Sequence, residues 1–350
     1  MKQNFSPEQI SSFEESRRLS DEELLKNGAY YLDRGPEESP QLILTEGQIA
    51  DAKQEMSREI LKTSFGTCQE LGEYSDIPFA KELSSGLNLE EEERIKSGMP
   101  FLVELRYKCS DRLLRQLIEE RGIKQVVELA SGFMPHALNL AEDYPDLKYI
   151  EVDYGARIKE KIAQTIKPDI DRISYIEGNL LAEKTQNEIQ TKLSSGPVAI
   201  FSEGLMMYLS EEDRAKLGSF VKEILTQHGG VFFFEDNTTF NPDFRQRIGP
   251  IIAQLHKKLA SAGKTSTHQK SWTQQQVTQE FETMGFDIER MAERDVSLSL
   301  DKYPYRDPTK DPAIQEQEAD EGKKLTREEM EKIITDAEET FRMWVLRLKK

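Results

Sequence analysis

QVVELASGFMPHALNLAEDYPDLKYIEVDYG, residues 125–155, predicts one unit of strand, turn, helix and strand. A first apolar strand, 125–129, ends in a turn of small residues, Ala130-Ser131-Gly132, and a second apolar strand ends at Asp153. Gly132 and Asp153 are 153 − 132 = 21 positions apart, the spacing at which a doubly wound fold presents a carboxylate to a ribose. The stretch therefore predicts an adenosine site in an α/β protein.

Other segments of the chain have the composition of strands, and helical sequence lies between most of them. Seven strands are predicted, at 125–129, 148–152, 173–177, 197–202, 230–235, 286–292 and 343–348. Alternation of strands and helices is typical of a parallel sheet with helices on both faces. Between the last two strands, residues 303–340 form a polar excursion that we interpret as an insertion on a hairpin.

The length of the chain allows more than one structural unit. At roughly 100 to 200 residues per domain, 350 residues correspond to two or three units. Residues 1–99 are charged and have a helical pattern, which predicts a helical N-terminal extension or lid. Residues 100–350 are predicted to form the main domain. Its first helix is expected over 110–121, where leucines lie on one face.

Composition excludes several classes of protein. With 64 acidic and 47 basic side chains, the net charge of -17 repels phosphate backbones, so nucleic acid is not an expected partner. Cys68 and Cys109 are the only cysteines, and neither they nor the four histidines have metal-site spacing. No apolar run approaches the roughly 18 residues of a membrane helix. We expect a soluble, cytoplasmic protein without a metal site or a membrane anchor.

The candidate site lies at the carboxyl ends of the strands, where open parallel sheets bind ligands. The polar positions there are Glu128, the turn at 130–132, Asp153, Asn179, Glu203 and the segment 235–237. A dinucleotide requires a fuller GxGxxG turn than Ala-Ser-Gly, because its pyrophosphate approaches the backbone. S-adenosylmethionine has no phosphate and carries cationic groups. The carboxylates Glu128, Asp153 and Glu203 therefore favour that cofactor.

Four segments together carry a family resemblance: residues 105–111 (LRYKCSD), 125–132 (QVVELASG), 149–153 (YIEVD) and 202–209 (SEGLMMYL). They resemble the leucine carboxyl methyltransferase family of class I S-adenosylmethionine-dependent methyltransferases. The resemblance covers about residues 100–240. It implies an α/β fold with a Rossmann-like, seven-stranded sheet in the order 3-2-1-4-5-7-6.

By position, the resemblance also implies roles in binding the cofactor. At the methionine end, Arg106 would pair with the carboxylate, Glu203 would lie beneath the amine, and the backbone of Ala130, Ser131 and Gly132 would line the methionine. Asp153 would accept both ribose hydroxyls. Asn179 and Leu180 would bracket the adenine. The family's turn has more glycine and continues with an aspartate and a small hydroxyl residue. This chain has Phe133-Met134-Pro135 instead.

The reaction that the resemblance implies is methyl transfer to oxygen, with S-adenosylhomocysteine as product. The acceptor would be a carboxylate or hydroxyl of a small molecule or a peptide terminus. A carboxylate acceptor is ionised at neutral pH and needs no general base. For a hydroxyl acceptor, Tyr208 is the candidate catalytic residue, and Asp236 is another group that could assist deprotonation. Two alternatives remain open: a non-catalytic cofactor-binding sensor or partner-binding module, and a dehydrogenase.

Overall fold

The central sheet contains the seven predicted strands. The computed structural model describes residues 61, 64–87, 100–168, 170–206, 209–236, 274–292, 326 and 342–349. All of these residues belong to one compact unit, Leu61–Ile251 with Gln269–Lys350. The strands are Gln125–Leu129 (β1), Lys148–Asp153 (β2), Ile173–Glu177 (β3), Val198–Ser202 (β4), Gly230–Asp236 (β5), Phe286–Ala292 (β6) and Arg342–Leu348 (β7).

The order of the strands is 3-2-1-4-5-7-6, as predicted. Strands β1 to β5 pair in parallel, whereas β7 runs antiparallel to both β5 and β6. Because β1 lies between β2 and β4, the chain changes direction across the sheet at β1. Doubly wound folds bind their ligands at such a switch point.

Helices cover both faces of the sheet. In chain order they are 64–74 (α1), Ala80–Leu87 (α2), Pro100–Arg121 (α3), His136–Asp143 (α4), Ala156–Ile166 (α5), Glu183–Lys192 (α6), Glu211–His228 (α7) and Gln274–Met284 (α8). One apolar cluster packs α1 to α5 against the sheet, and a second packs α6 to α8 against its other face. None of the helices in the described ranges is long and apolar enough to cross a membrane.

Helix α3 is longer than the sequence predicted. It begins at Pro100 and not near Ser110, so that Arg106 lies on a helix. The first half was missed because Glu104 and Lys108 interrupt the apolar stripe, although both are buried and their side chains pair at 2.6 Å. An ion pair at helical spacing satisfies two charges that a hydrophobic pattern places in solvent.

Parts of the domain prediction fall outside the described residues. Of the predicted extension, 1–99, the structure describes residue 61, α1 and α2, which are helical except for a short connection. The predicted insertion, 303–340, falls between β6 and β7, and Thr326 is its described residue. The division into an extension and a main domain therefore stays a prediction.

The loop after β1 is anchored by a buried ion pair. Lys159, on α5, is fully buried, and its Nζ donates to Oε1 of Glu151 at 2.6 Å and to the carbonyl oxygen of Met134 at 2.6 Å. Glu151 belongs to β2, whereas Met134 belongs to the loop that follows β1. One ammonium group thus ties together a strand, a helix and the loop at the switch point.

Removing the Lys159 ammonium should destabilise the fold. Lys159→Met leaves the buried Glu151 carboxylate without its cation, so we expect the free energy of unfolding to fall by about 3–5 kcal/mol. Urea denaturation measures the change. Lys167→Met is the matched control because its pair with Glu142 is solvent-exposed, and its loss should be below about 1 kcal/mol. Equal losses in the two variants would contradict this role of Lys159.

Candidate active site

The turn after β1 has an unusual backbone. Ala130 has φ 57° and Gly132 has φ 51°, so both residues adopt the left-handed conformation. Ser131 N donates to the carbonyl oxygen of Val152 at 3.2 Å, which holds the turn against the end of β2. The turn therefore adopts its tight path although an alanine occupies the first position.

Asp153 fastens this turn from the end of β2. Its Oδ2 accepts a hydrogen bond from Gly132 N at 3.0 Å, and its Oδ1 accepts one from Gly155 N at 2.9 Å. The side chain is buried. A carboxylate has about four lone-pair directions, so these two bonds are compatible with further acceptance. The predicted ribose role of Asp153 stays a prediction.

Glu203 lies directly after β4 and receives two donors. Arg106 Nε donates to its Oε1 at 2.7 Å, and His136 Nε2 lies 2.9 Å from its Oε2. The side chain of Glu203 is 3% exposed, whereas that of Arg106 is 18% exposed. The pair therefore places a buried negative charge beside a positive charge that solvent partly reaches.

The protonation state of Glu203 follows from these partners. Burial by itself raises the pKa of this carboxyl, but Arg106 and His136 outweigh burial and lower it to about 2. Glu203 is therefore ionised at neutral pH. It is a fixed negative charge at the switch point, which suits a cationic ligand group.

The backbone after Glu203 is equally constrained. Gly204 has φ 64°, and its N–H donates to Oε1 of Glu235, on β5, at 2.8 Å. A Cβ added at Gly204 would lie 3.1 Å from Nη1 of Arg106. A side chain here would meet the guanidinium in addition to straining the backbone, so glycine allows Arg106 to approach this loop.

Glu128 is within β1 and differs from Glu203 in charge. Tyr149 OH donates to its Oε2 at 2.7 Å. Burial, only partly opposed by the charges of His136 and Lys159, raises the pKa of Glu128 to about 8. Glu128 thus carries a proton at neutral pH. The sequence predicted a negative charge on Glu128, but that charge is absent at neutral pH.

Three buried polar atoms near the ends of β1 and β4 have no hydrogen-bond partner among the described residues. They are Oε1 of Glu128, Oγ of Ser131 and Oγ of Ser202. Buried hydroxyl and carboxyl groups nearly always have partners in native proteins. These atoms, together with the Glu203 carboxylate, fit a polar and cationic ligand at the switch point.

The remaining predicted residues lie farther along the sheet edge. Asn179 is exposed, and its Oδ1 accepts from Leu181 N at 2.9 Å, which shapes the loop after β3. Leu180 is partly buried against the apolar cluster of α6 to α8. Tyr208, the candidate catalytic residue, lies outside the described residues.

Sequence reasoning missed two residues that build the site. His136 binds Glu203, and Lys159 binds the loop after β1. Glu235, in the predicted segment 235–237, binds Gly204 N. The spacing of the histidines indicates no metal site, and a lysine on an amphipathic helix ordinarily lies in solvent. The available signal for Lys159 was Glu151, because a carboxylate inside an apolar strand requires a buried partner.

Residues 60–222 match the family model of leucine carboxyl methyltransferase. The matched segment is similar to this family, and the protein is a methyltransferase. The match includes α3, the turn after β1, β2 and Glu203, so it contains the four segments that carried the resemblance. No curated protein sequence matches the chain.

A solved structure with a similar chain supports the fold, and a second is less similar. A DUF574 family protein from Streptomyces avermitilis has a TM-score of 0.52 at 15% sequence identity, and the match covers 84% of this chain and 100% of that chain. The plantazolicin methyltransferase BamL, solved with a triazolic desmethylPZN analog and SAH, has a TM-score of 0.41 at 12% identity, covering 86% of this chain and 99% of that chain.

Exchanging the small residues of the turn should change stability in opposite directions. Ala130→Gly removes the strain of an alanine in the left-handed region, so we expect the free energy of unfolding to rise by about 1 kcal/mol. Gly132→Ala introduces the same backbone strain and should lower the free energy of unfolding by about 1–2 kcal/mol. No steric clash adds to this loss, because the new Cβ would lie 3.5 Å from Ser64, an ordinary contact distance. Urea denaturation measures both changes. A loss in Ala130→Gly would contradict the strain.

The proton on Glu128 predicts a pH dependence of stability. Folding raises the pKa of the Glu128 carboxyl from an ordinary value of 4.5 to about 8. Between these two pH values, the folded state keeps a proton that the unfolded chain releases. Stability from this group is therefore lost as the pH rises from about 4.5 to about 8.

Glu128→Gln has no proton to release, so it serves as the reference. Across that pH window, wild type should lose about 4–5 kcal/mol relative to the variant. Urea denaturation at a series of pH values measures the difference. Parallel pH profiles for the two proteins would show that Glu128 is already ionised in the fold.

Proposed function

We propose that the methyltransferase binds S-adenosylmethionine at the switch point and transfers its methyl group to a carboxylate or hydroxyl oxygen. The observation that carries the proposal is the Arg106–Glu203 pair. A guanidinium beside an ionised carboxylate presents the opposite charges to those of an α-amino acid group. The methionine end of the cofactor has a carboxylate for Arg106 and an ammonium for Glu203.

The other end of the cofactor would lie along β2 and β3. Asp153 would accept the ribose hydroxyls, and Asn179 with Leu180 would bracket the adenine. The buried Ser131 hydroxyl and the backbone of Ala130 and Gly132 would line the methionine. This assignment extends the family resemblance to positions that the geometry brings to one edge of the sheet.

When bound, S-adenosylmethionine supplies an electrophilic methyl group on a sulfonium. The work of the protein is to hold the cofactor and the acceptor oxygen in line and to exclude water. A carboxylate acceptor arrives ionised, so no residue has to remove a proton. A hydroxyl acceptor would need a base, for which Tyr208 and Asp236 are the candidates. The acceptor would be a small molecule or a peptide terminus.

Binding measurements test the cofactor site first. Isothermal titration calorimetry should detect both S-adenosylmethionine and S-adenosylhomocysteine. Glu203→Gln and Asp153→Asn should each weaken binding at least about tenfold, since each removes a charge or a charge-assisted hydrogen bond. Glu142→Gln is the control, because Glu142 is exposed and pairs with Lys167. Absence of binding of either ligand to the wild-type protein would refute the proposal.

The acceptor atom is tested by the stability of the product. With cofactor labelled in the methyl group, the enzyme should label members of a panel of small carboxylic acids, hydroxyl compounds and peptides. Methyl esters release volatile methanol in mild alkali, whereas methyl ethers do not. Volatile label identifies a carboxylate acceptor, and alkali-stable label that mass spectrometry places on oxygen identifies a hydroxyl. Label on nitrogen or carbon would contradict oxygen transfer.

A further inference from the structure

His136 is held in one orientation by two aromatic rings. It is the first residue of α4 and is fully buried. Its ring stacks on Tyr107, with ring centroids 4.1 Å and planes 12° apart, and meets Phe201 edge-on at 5.5 Å and 87°. These contacts fix the plane of the imidazole, so that Nε2 points towards Glu203.

The imidazole supplies the second hydrogen bond to Glu203. Because the ionised carboxylate only accepts, the 2.9 Å contact requires that Nε2–H of His136 donates to Oε2. Arg106 Nε occupies the other oxygen, Oε1, at 2.7 Å. Two donors from different helices therefore hold the carboxylate, one at each oxygen.

The hydrogen bond from His136 to Glu203 forms whether or not the imidazole is charged. Burial favours the neutral ring, but Glu203 after β4 and Asp111 on α3 favour the charged ring, as does Glu128 on β1 when it is ionised, and the pKa of His136 is raised. Nδ1 has no hydrogen-bond partner among the described residues. The charged ring has an Nε2–H, and so does the neutral tautomer that donates here, so the contact with Glu203 exists in both states.

We propose that His136 is a positioning residue for the amino-acid end of the cofactor, acting through Glu203. This inference rests on the proposed function. The fixed imidazole binds Oε2 and so holds the plane of the Glu203 carboxylate relative to Arg106, which binds Oε1. The carboxylate therefore keeps one orientation in which to bind the ammonium of the cofactor.

The test compares two ligands that differ only at the amino-acid end. S-adenosylhomocysteine carries the carboxylate and ammonium, whereas 5′-methylthioadenosine lacks both. His136→Phe keeps a ring against Tyr107 and Phe201 but has no donor. Calorimetry should show S-adenosylhomocysteine binding at least about tenfold weaker and methylthioadenosine binding within about twofold of wild type. A general loss of packing would weaken both ligands alike.

Conservative and matched variants separate positioning from stability. His136→Gln restores a donor near the place of Nε2 and should bring S-adenosylhomocysteine binding back to within about threefold of wild type. Gln125→Ala, at the start of β1, removes hydrogen bonds to the carbonyl oxygens of Ser194 at 2.7 Å and Gly196 at 2.8 Å without touching Glu203. It should lower thermal stability and leave both affinities within about twofold. If the Phe variant does not fold, His136→Leu replaces it, because leucine also lacks a donor.

The outcomes distinguish the inference from the proposed function. Wild-type protein that binds neither ligand overturns the proposed function, and the inference fails with it. Wild-type protein that binds S-adenosylhomocysteine, with His136→Phe losing both ligands equally or neither, overturns the inference alone. A Gln variant as weak as the Phe variant also overturns it, because the donor is then not what the site requires.

Discussion

The switch point depends on the buried contact of Lys159 with Glu151 and the carbonyl oxygen of Met134. A lysine and a glutamate without solvent contact are costly unless each satisfies the other. Here the ammonium also satisfies a backbone oxygen of the loop after β1. The loop in turn delivers Gly132 to Asp153 and His136 to Glu203. The positions of the binding groups therefore follow from a contact that does not itself face a ligand.

Several side-chain carboxyl groups lie on one face of the sheet, near the C-terminal ends of the strands, and each has a different kind of partner. Glu151 pairs with Lys159, Glu128 keeps its proton, Asp153 accepts backbone N–H groups, and Glu235 accepts from Gly204. Glu203 is ionised and pairs with the partly exposed Arg106. Acidic side chains thus have four roles here: one forms a structural ion pair, one is a neutral acid, others accept hydrogen bonds from the backbone of turns, and one is a charged binding group. The buried partners of each side chain decide its role.

The sequence predicted the sheet closely because buried parallel strands leave apolar runs, and the seven observed strands agree with the predicted ones to within a residue or two. The edge residues Asp153 and Glu203 were found because each carboxylate ends or follows such a run. Helix α3 was truncated and His136 was passed over for the opposite reason. Glu104 and Lys108 are buried charges that satisfy each other four positions apart, although a hydrophobic pattern places both in solvent, and the carboxylate that binds His136 lies 67 positions away along the chain.

The hydrogen bonds that hold Glu203 join residues far apart along the chain. The bond from Arg106 spans 97 positions, and the contact with His136 spans 67. Closing loops of this length costs conformational entropy, which is recovered only after the intervening strands have paired. The binding groups therefore come together only in a fold in which α3, β1 and β4 are packed. A ligand held by them acts on the completed fold, so it stabilises the sheet as a whole and not one of its separate segments.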